Sequence, residues 1–201
     1  MGNKRKVIAA FTLIELLVSV GIFGFMTALM VAKYGNFNQS VLLTNLAYDV
    51  AVTIRTAQAY GLSVKSVNTV ADEDKFKNAY GVYFNSQMGE NDSFTLFTDI
   101  NTKDGQYDGP SSGEEVTKYN LKRGATIHSV CATNNSICDP DEGTLNISFL
   151  RPDPSAQICL NSSNDTNDGC GFSYAEIIIK GSDDSMRVVR VRENGQISVG
   201  E

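Results

Sequence analysis

Between Val7 and Ala32 the only ionisable side chain is Glu15, set among apolar, small and hydroxyl residues. A run of that length meets the roughly 20 apolar residues needed to cross a hydrocarbon layer. A charge at mid-bilayer costs on the order of 3 kcal/mol, so a carboxylate in such a run is a functional residue that calls for a partner. Cys131, Cys138, Cys159 and Cys170 are the next candidates. The residues between Cys131 and Cys138, and between Cys159 and Cys170, are too many for the two-residue spacing of zinc ligand pairs. Disulfides in an oxidising, extracytoplasmic compartment are therefore expected, with buried free thiols as the alternative. Four cysteines admit three pairings; Cys131–Cys138 with Cys159–Cys170 is favoured because each would tie off a polar loop. Asp99, Asn101, Asp104 and Asp108 alternate oxygen side chains around an Asp-Gly pair, as in a calcium loop. The glycine is one place late for an EF-hand and Lys103 stands where an oxygen ligand belongs, so calcium competes with a solvated acidic turn. Arg190 and Arg192 share one face of an alternating segment and could contact phosphates, against the alternative of a solvated strand face.

Catalysis finds little in these residue types. The single histidine, His128, sits in an alternating strand pattern, and no glycine-rich phosphate loop, G-x-S-x-G elbow or H-E-x-x-H is present. Glu114-Glu115 and Asp183-Asp184 read as solvated turn carboxylates. The chain is therefore read as a non-enzyme.

The elements that must carry these groups follow from periodicity. Leu42, Leu46, Val50, Ile54, Ala57 and Gly61 recur at helical steps, while Asn45, Asp49, Thr53 and Arg55 take the other face. One helix from Phe11 to about Tyr60 would be about 75 Å long at 1.5 Å per residue. Gly24, Ala28 and Ala32 lie four apart and would let another helix approach closely, or simply reflect membrane-helix composition. From Ala79 the period changes to two, and strands are expected over 79–84, 93–98, 115–121, 125–131, 144–150, 172–180, 186–193 and 196–199. Asn194-Gly195 predicts a two-residue hairpin between the last two.

The segment Phe11-Thr12-Leu13-Ile14-Glu15, behind the basic leader Lys4-Arg5-Lys6, resembles the processing motif of type IV pilins and type II secretion pseudopilins. That resemblance implies cleavage between Ala10 and Phe11 by a prepilin peptidase and methylation of the new amino group. It also gives Glu15 the role of binding that amine on a neighbouring subunit during assembly. Ala10 stands where the family usually has glycine. The segment outruns an ordinary secretory signal, whose apolar core is shorter, and a plain anchor would not need Glu15. Asn45 to Ser63 followed by Tyr80-Gly81-Val82 and Phe97-Thr98-Asp99 is similar to the minor pseudopilin H and FimT-like branch.

The expected fold is therefore α+β, pilin-like, with a long N-terminal transmembrane and amphipathic helix packed on an antiparallel β-sheet domain. Its expected parts are a leader (1–10), a membrane and filament-core helix (11–34), an amphipathic helix (35–62) and a β-rich domain (63–201). The leader's cations keep the N-terminus on the cytoplasmic side of the inner membrane and place the rest outside. Removal of the leader takes away Lys4, Arg5 and Lys6, moving the net charge from −6 to −9. An acidic surface argues against broad attraction to nucleic acid. The expected function is a minor pilin or pseudopilin of a pilus or secretion filament, with other such subunits as partners. Filament-tip DNA capture through Arg190 and Arg192 is the alternative.

Overall fold

The computed structural model describes residues 11–63, 78–135, 138, 143–162 and 169–200, with the side chains of residues 32–38 and 162 outside that set. The element order is α1 (Leu13–Leu62), β1 (Ala79–Asn85), β2 (Ser93–Asp99), β3 (Glu115–Asn120), β4 (Thr126–Thr133), β5 (Gly143–Phe149), β6 (Ala156–Ser162), β7 (Gly169–Cys170), β8 (Tyr174–Lys180), β9 (Met186–Arg192) and β10 (Ile197–Gly200). The chain divides into two units, Met1–Asn38 and Gln39–Glu201, and α1 runs through the boundary.

In the first unit, Leu13–Val31 is long and apolar enough to cross a membrane, and none of it is buried within the chain. Its hydroxyls are satisfied internally, Ser19 Oγ donating to the Glu15 carbonyl and Thr27 Oγ1 to the Phe23 carbonyl, each at 2.7 Å. Such back-bonding lets polar side chains sit in hydrocarbon without an orphaned donor.

In the second unit, Leu43, Leu46, Ala47, Val50, Ala51, Ile54 and Ala57 form a buried stripe at three- and four-residue steps. Thr53, expected on the polar face, is buried too and donates to the Asp49 carbonyl. The stripe joins one continuous core with Val82, Phe84, Leu145, Ile147, Phe149, Ile177, Ile179 and Val189. Gly61 permits the closest approach, since a Cβ there would lie 2.4 Å from the Phe149 carbonyl oxygen.

The strands form two antiparallel sheets rather than the single sheet expected, ordered β3-β2-β1-β5-β6-β7 and β10-β9-β8-β4. Alternation sets which face is apolar, but β4 leaves β3 to pair with β8, a long-range choice. Strands β6 and β7 were not expected from the pattern. Ala156, Ile158 and Leu160 do alternate inward, yet the polar stretch between Cys159 and Cys170 reads as loop. Arg192 N–H donates to the Gln196 carbonyl and closes a three-residue turn, 193–195, between β9 and β10, with Gly195 at φ 80°. Three-residue hairpins place glycine in that left-handed position, so Asn194-Gly195 marks the turn but not its length.

Candidate functional site

The first turn of α1 holds its carboxylate in a reciprocal cap. Thr12 stands just before the helix; Glu15 N–H donates to Thr12 Oγ1 at 3.3 Å, and Glu15 Oε2 accepts from Thr12 N–H at 3.2 Å and Thr12 Oγ1 at 3.0 Å. This is a capping box, which satisfies otherwise orphaned amides at a helix start. Thr12 is thus a partner of Glu15 that the charge argument overlooked, although the Thr-x-x-Glu spacing displays it. A negative charge also suits the positive end of the helix dipole. Phe11 is exposed. Ala10, the other side of the expected cleavage, lies outside the described residues. Gly24 and Ala28 lie on exposed helix with open space over Gly24, whereas the side chain of Ala32 is not described.

The 100–113 loop is built on two buried carboxylates, one of which was misread. Glu114, expected to be solvated, is 0% exposed. Its Oε1 accepts from Ile100 N–H at 3.2 Å and Asn101 N–H at 3.3 Å, and its Oε2 from Asp108 N–H at 2.8 Å. Asp99, also buried, accepts from Lys103 N–H at 2.8 Å and Gly105 N–H at 2.7 Å. Burial raises the Asp99 carboxyl above the usual aspartate range, and nearby Glu114 adds to the rise, against the two amide bonds. The loop then covers the outer face of β1, β2 and β5: Tyr107 N–H donates to Asn146, and its ring lies 5.2 Å from that of Tyr83 and 5.6 Å from that of Phe97. This cover explains why β2 is buried on both faces.

Among the described residues, Asp99, Asp104 and Asp108 of the calcium reading do not converge their carboxylates within ligating distance of one another. Asp99 is occupied by loop amides, Asn101 Nδ2 donates to the Ser112 carbonyl, Asp104 accepts from Gln106 N–H, and Asp108 faces Thr102. The Asp99 and Asp104 carboxylates, committed to N–H donors, are oriented for the loop. Among the described residues, the grouping that places three metal-type ligands together is Cys131, Cys138 and Glu176. Its sulfurs are joined as a disulfide and offer no thiolate.

The structure pairs Cys131 with Cys138 and Cys159 with Cys170. The second bond ties the short edge strand β7 to β6, where the two cysteines stand opposite each other in register. His128, read as a half-buried strand residue, is exposed at a bulge between Ile127 and Ser129.

Arg190 and Arg192 do share a face of β9, but that face is not a free basic patch. Register places Glu176 opposite Arg190 and Tyr174 opposite Arg192. Arg190 Nε donates to Glu176 Oε1 at 2.8 Å, Tyr174 O–H donates to the same carboxylate, and the Arg192 guanidinium lies 5.6 Å from the Tyr174 ring centroid. A guanidinium matched by a carboxylate adds no net charge for a phosphate. That pairing engages Arg190, whereas Arg192 is exposed and stacks on a neutral ring, and Glu176 and Tyr174 could be found only from strand register.

No protein-family model, curated protein or solved structure matches this chain.

Proposed function

We propose that this chain is a structural subunit of a membrane-assembled filament of the type IV pilus or type II secretion kind, matured by a prepilin peptidase that removes residues 1–10. The observation that carries the reading is Leu13–Val31, nineteen residues with no side chain buried within the chain, entered through the Thr12–Glu15 cap. Such a surface is stable only in lipid or against other helices; a membrane supplies the first before assembly and similar helices supply the second within a filament. The cap refines the part played by Glu15. Before assembly the carboxylate has local neutral donors in Thr12. In the filament, the positive amine of a neighbour's Phe11 offers an opposite charge where Thr12 offers only neutral donors, so Glu15 exchanges partners when a subunit joins.

The test compares Glu15→Val with Thr12→Ala in cells carrying the peptidase and the principal subunit. Mass spectrometry should give a mature chain beginning at Phe11 with one added methyl group for all variants. Pull-down should recover Thr12→Ala in the filament and lose Glu15→Val. Equal recovery of both variants would show that the carboxylate serves only as a cap, and cleavage elsewhere would remove the filament reading itself. Arg190 and Arg192, engaged as described, lend no support to filament-tip DNA capture.

A further inference from the structure

A cavity of about 240 Å³ opens on the outer face of the six-stranded sheet, between the 100–113 loop and the β1–β2 hairpin. Its floor is a cross-strand row, since Tyr83 pairs with Thr95 and Thr95 with Lys118. Thr95 is only 5% exposed, lines the cavity, and its hydroxyl has no hydrogen bond among the described residues. An unpaired hydroxyl lining a cavity can both donate to and accept from a ligand atom placed there.

The walls state which chemistry fits. Glu90, Asp92 and Glu115 line the cavity, with Lys118 as its single cation. Each carboxylate has one oxygen engaged, by Asn85 Nδ2, Ser93 Oγ and Tyr107 O–H respectively. The second oxygen of each has no hydrogen bond among the described residues. Burial, then the neighbouring Glu115, pushes the Tyr107 phenol up to about 12, so it stays protonated and its ring remains a neutral aromatic wall beside Tyr83. Acceptors therefore outnumber donors, the ionisable balance is negative, and two aromatic rings adjoin the carboxylates.

We propose that this cavity receives a guanidinium group, presented as an arginine side chain by a partner protein. A guanidinium supplies five N–H donors in a plane, matching several carboxylate and hydroxyl oxygens at once, and its flat cation stacks on tyrosine. A lysine ammonium is a compact point charge with three donors and no flat face. The site is independent of the membrane helix and of the filament reading.

The test uses the full chain in detergent micelles at neutral pH, titrated with the capped peptide Ac-Gly-Arg-Gly-NH₂ and followed by calorimetry and tyrosine fluorescence. Free L-arginine forms a second arm that separates a small-molecule source from a protein one. Peptides with lysine or neutral citrulline in place of arginine are comparators. The arginine peptide should bind at least about tenfold more tightly than the citrulline peptide, and Glu90→Gln or Glu115→Gln should each weaken it by about tenfold. Glu193→Gln, away from the cavity, should leave binding unchanged. An unchanged unfolding midpoint in each variant keeps loss of binding distinct from loss of fold. Equal binding of arginine and citrulline peptides, free arginine bound more tightly than the peptide, or arginine affinity unmoved in the Glu90→Gln/Glu115→Gln double variant would each overturn the proposal. So would the absence of saturable binding up to about 50 mM peptide.

Discussion

Glu114→Gln is the sharpest perturbation of this fold, because it keeps the shape of a fully buried side chain and removes one acceptor. The carboxylate serves Ile100 and Asn101 through one oxygen and Asp108 through the other. Glutamine has a single carbonyl oxygen, so either the 2.8 Å bond from Asp108 or the pair from Ile100 and Asn101 must face an NH₂ donor. An unsatisfied buried amide costs about 1–3 kcal/mol, and the surviving bonds lose about half their strength with the charge. Relief of carboxylate burial beside Asp99 returns part of this, leaving a net loss of about 2–3 kcal/mol. For a domain of this size, that corresponds to a fall in Tm of about 5–10 °C. The assay is thermal unfolding of the full chain in detergent by near-UV circular dichroism, which reports on eight tyrosines without tryptophan. Hydrogen exchange at Ile100, Asn101 and Asp108 gives a local readout. Glu115→Gln, on an exposed residue, should stay within about 0.5 kcal/mol of wild type. If the two variants melt together and the three amides exchange as in wild type, Glu114 is solvated and the loop is anchored by something else.

Two further outcomes are expected. Removing either disulfide as a Cys→Ala pair, Cys131 with Cys138 or Cys159 with Cys170, should cost about 2–3 kcal/mol by the chain-entropy model, seen as a lower denaturant midpoint. Four alkylatable thiols in the unreduced exported protein would contradict both bonds. Asp99 has a carboxyl raised from 3.8 by burial, so its contribution to stability is full below that value and declines as pH rises through the raised value. Asp99→Asn cannot ionise, so the stability gap between wild type and variant should narrow with rising pH; a gap that stays constant would show that the burial is not felt by the charged form.

Much of the helical half was legible from spacing alone. Leu46, Val50, Ile54 and Ala57 sit on one face of any helix that contains them, whatever lies beyond, and burial follows that face. The Thr12–Glu15 cap is equally local, and the Thr-x-x-Glu spacing displays it. Strand alternation was readable for the same reason. At β6 the inward set of Ala156, Ile158 and Leu160 runs directly into the polar stretch between Cys159 and Cys170, which hides the strand.

Other features were decided by partners far away along the chain. Glu114 and Glu115 are chemically identical neighbours; one is buried and the other exposed because the loop between them and Asp99 folds back over the sheet. Arg190 looked available until β8 and β9 aligned in a register that sets Glu176 against it. Tyr107 reaches Asn146 across 39 residues, and Arg187 reaches Ser40 across 147. The sequence by itself determined the membrane-length helix, its single carboxylate, its core-facing stripe and the alternation of most strands, because each depends on side chains within a few residues of one another. Only the tertiary structure decided the two-sheet order, the buried carboxylate anchors, the Glu176–Arg190 pair and the tyrosine-lined cavity. Each of those depends on which distant backbone happens to lie alongside, and spacing along the chain does not encode that.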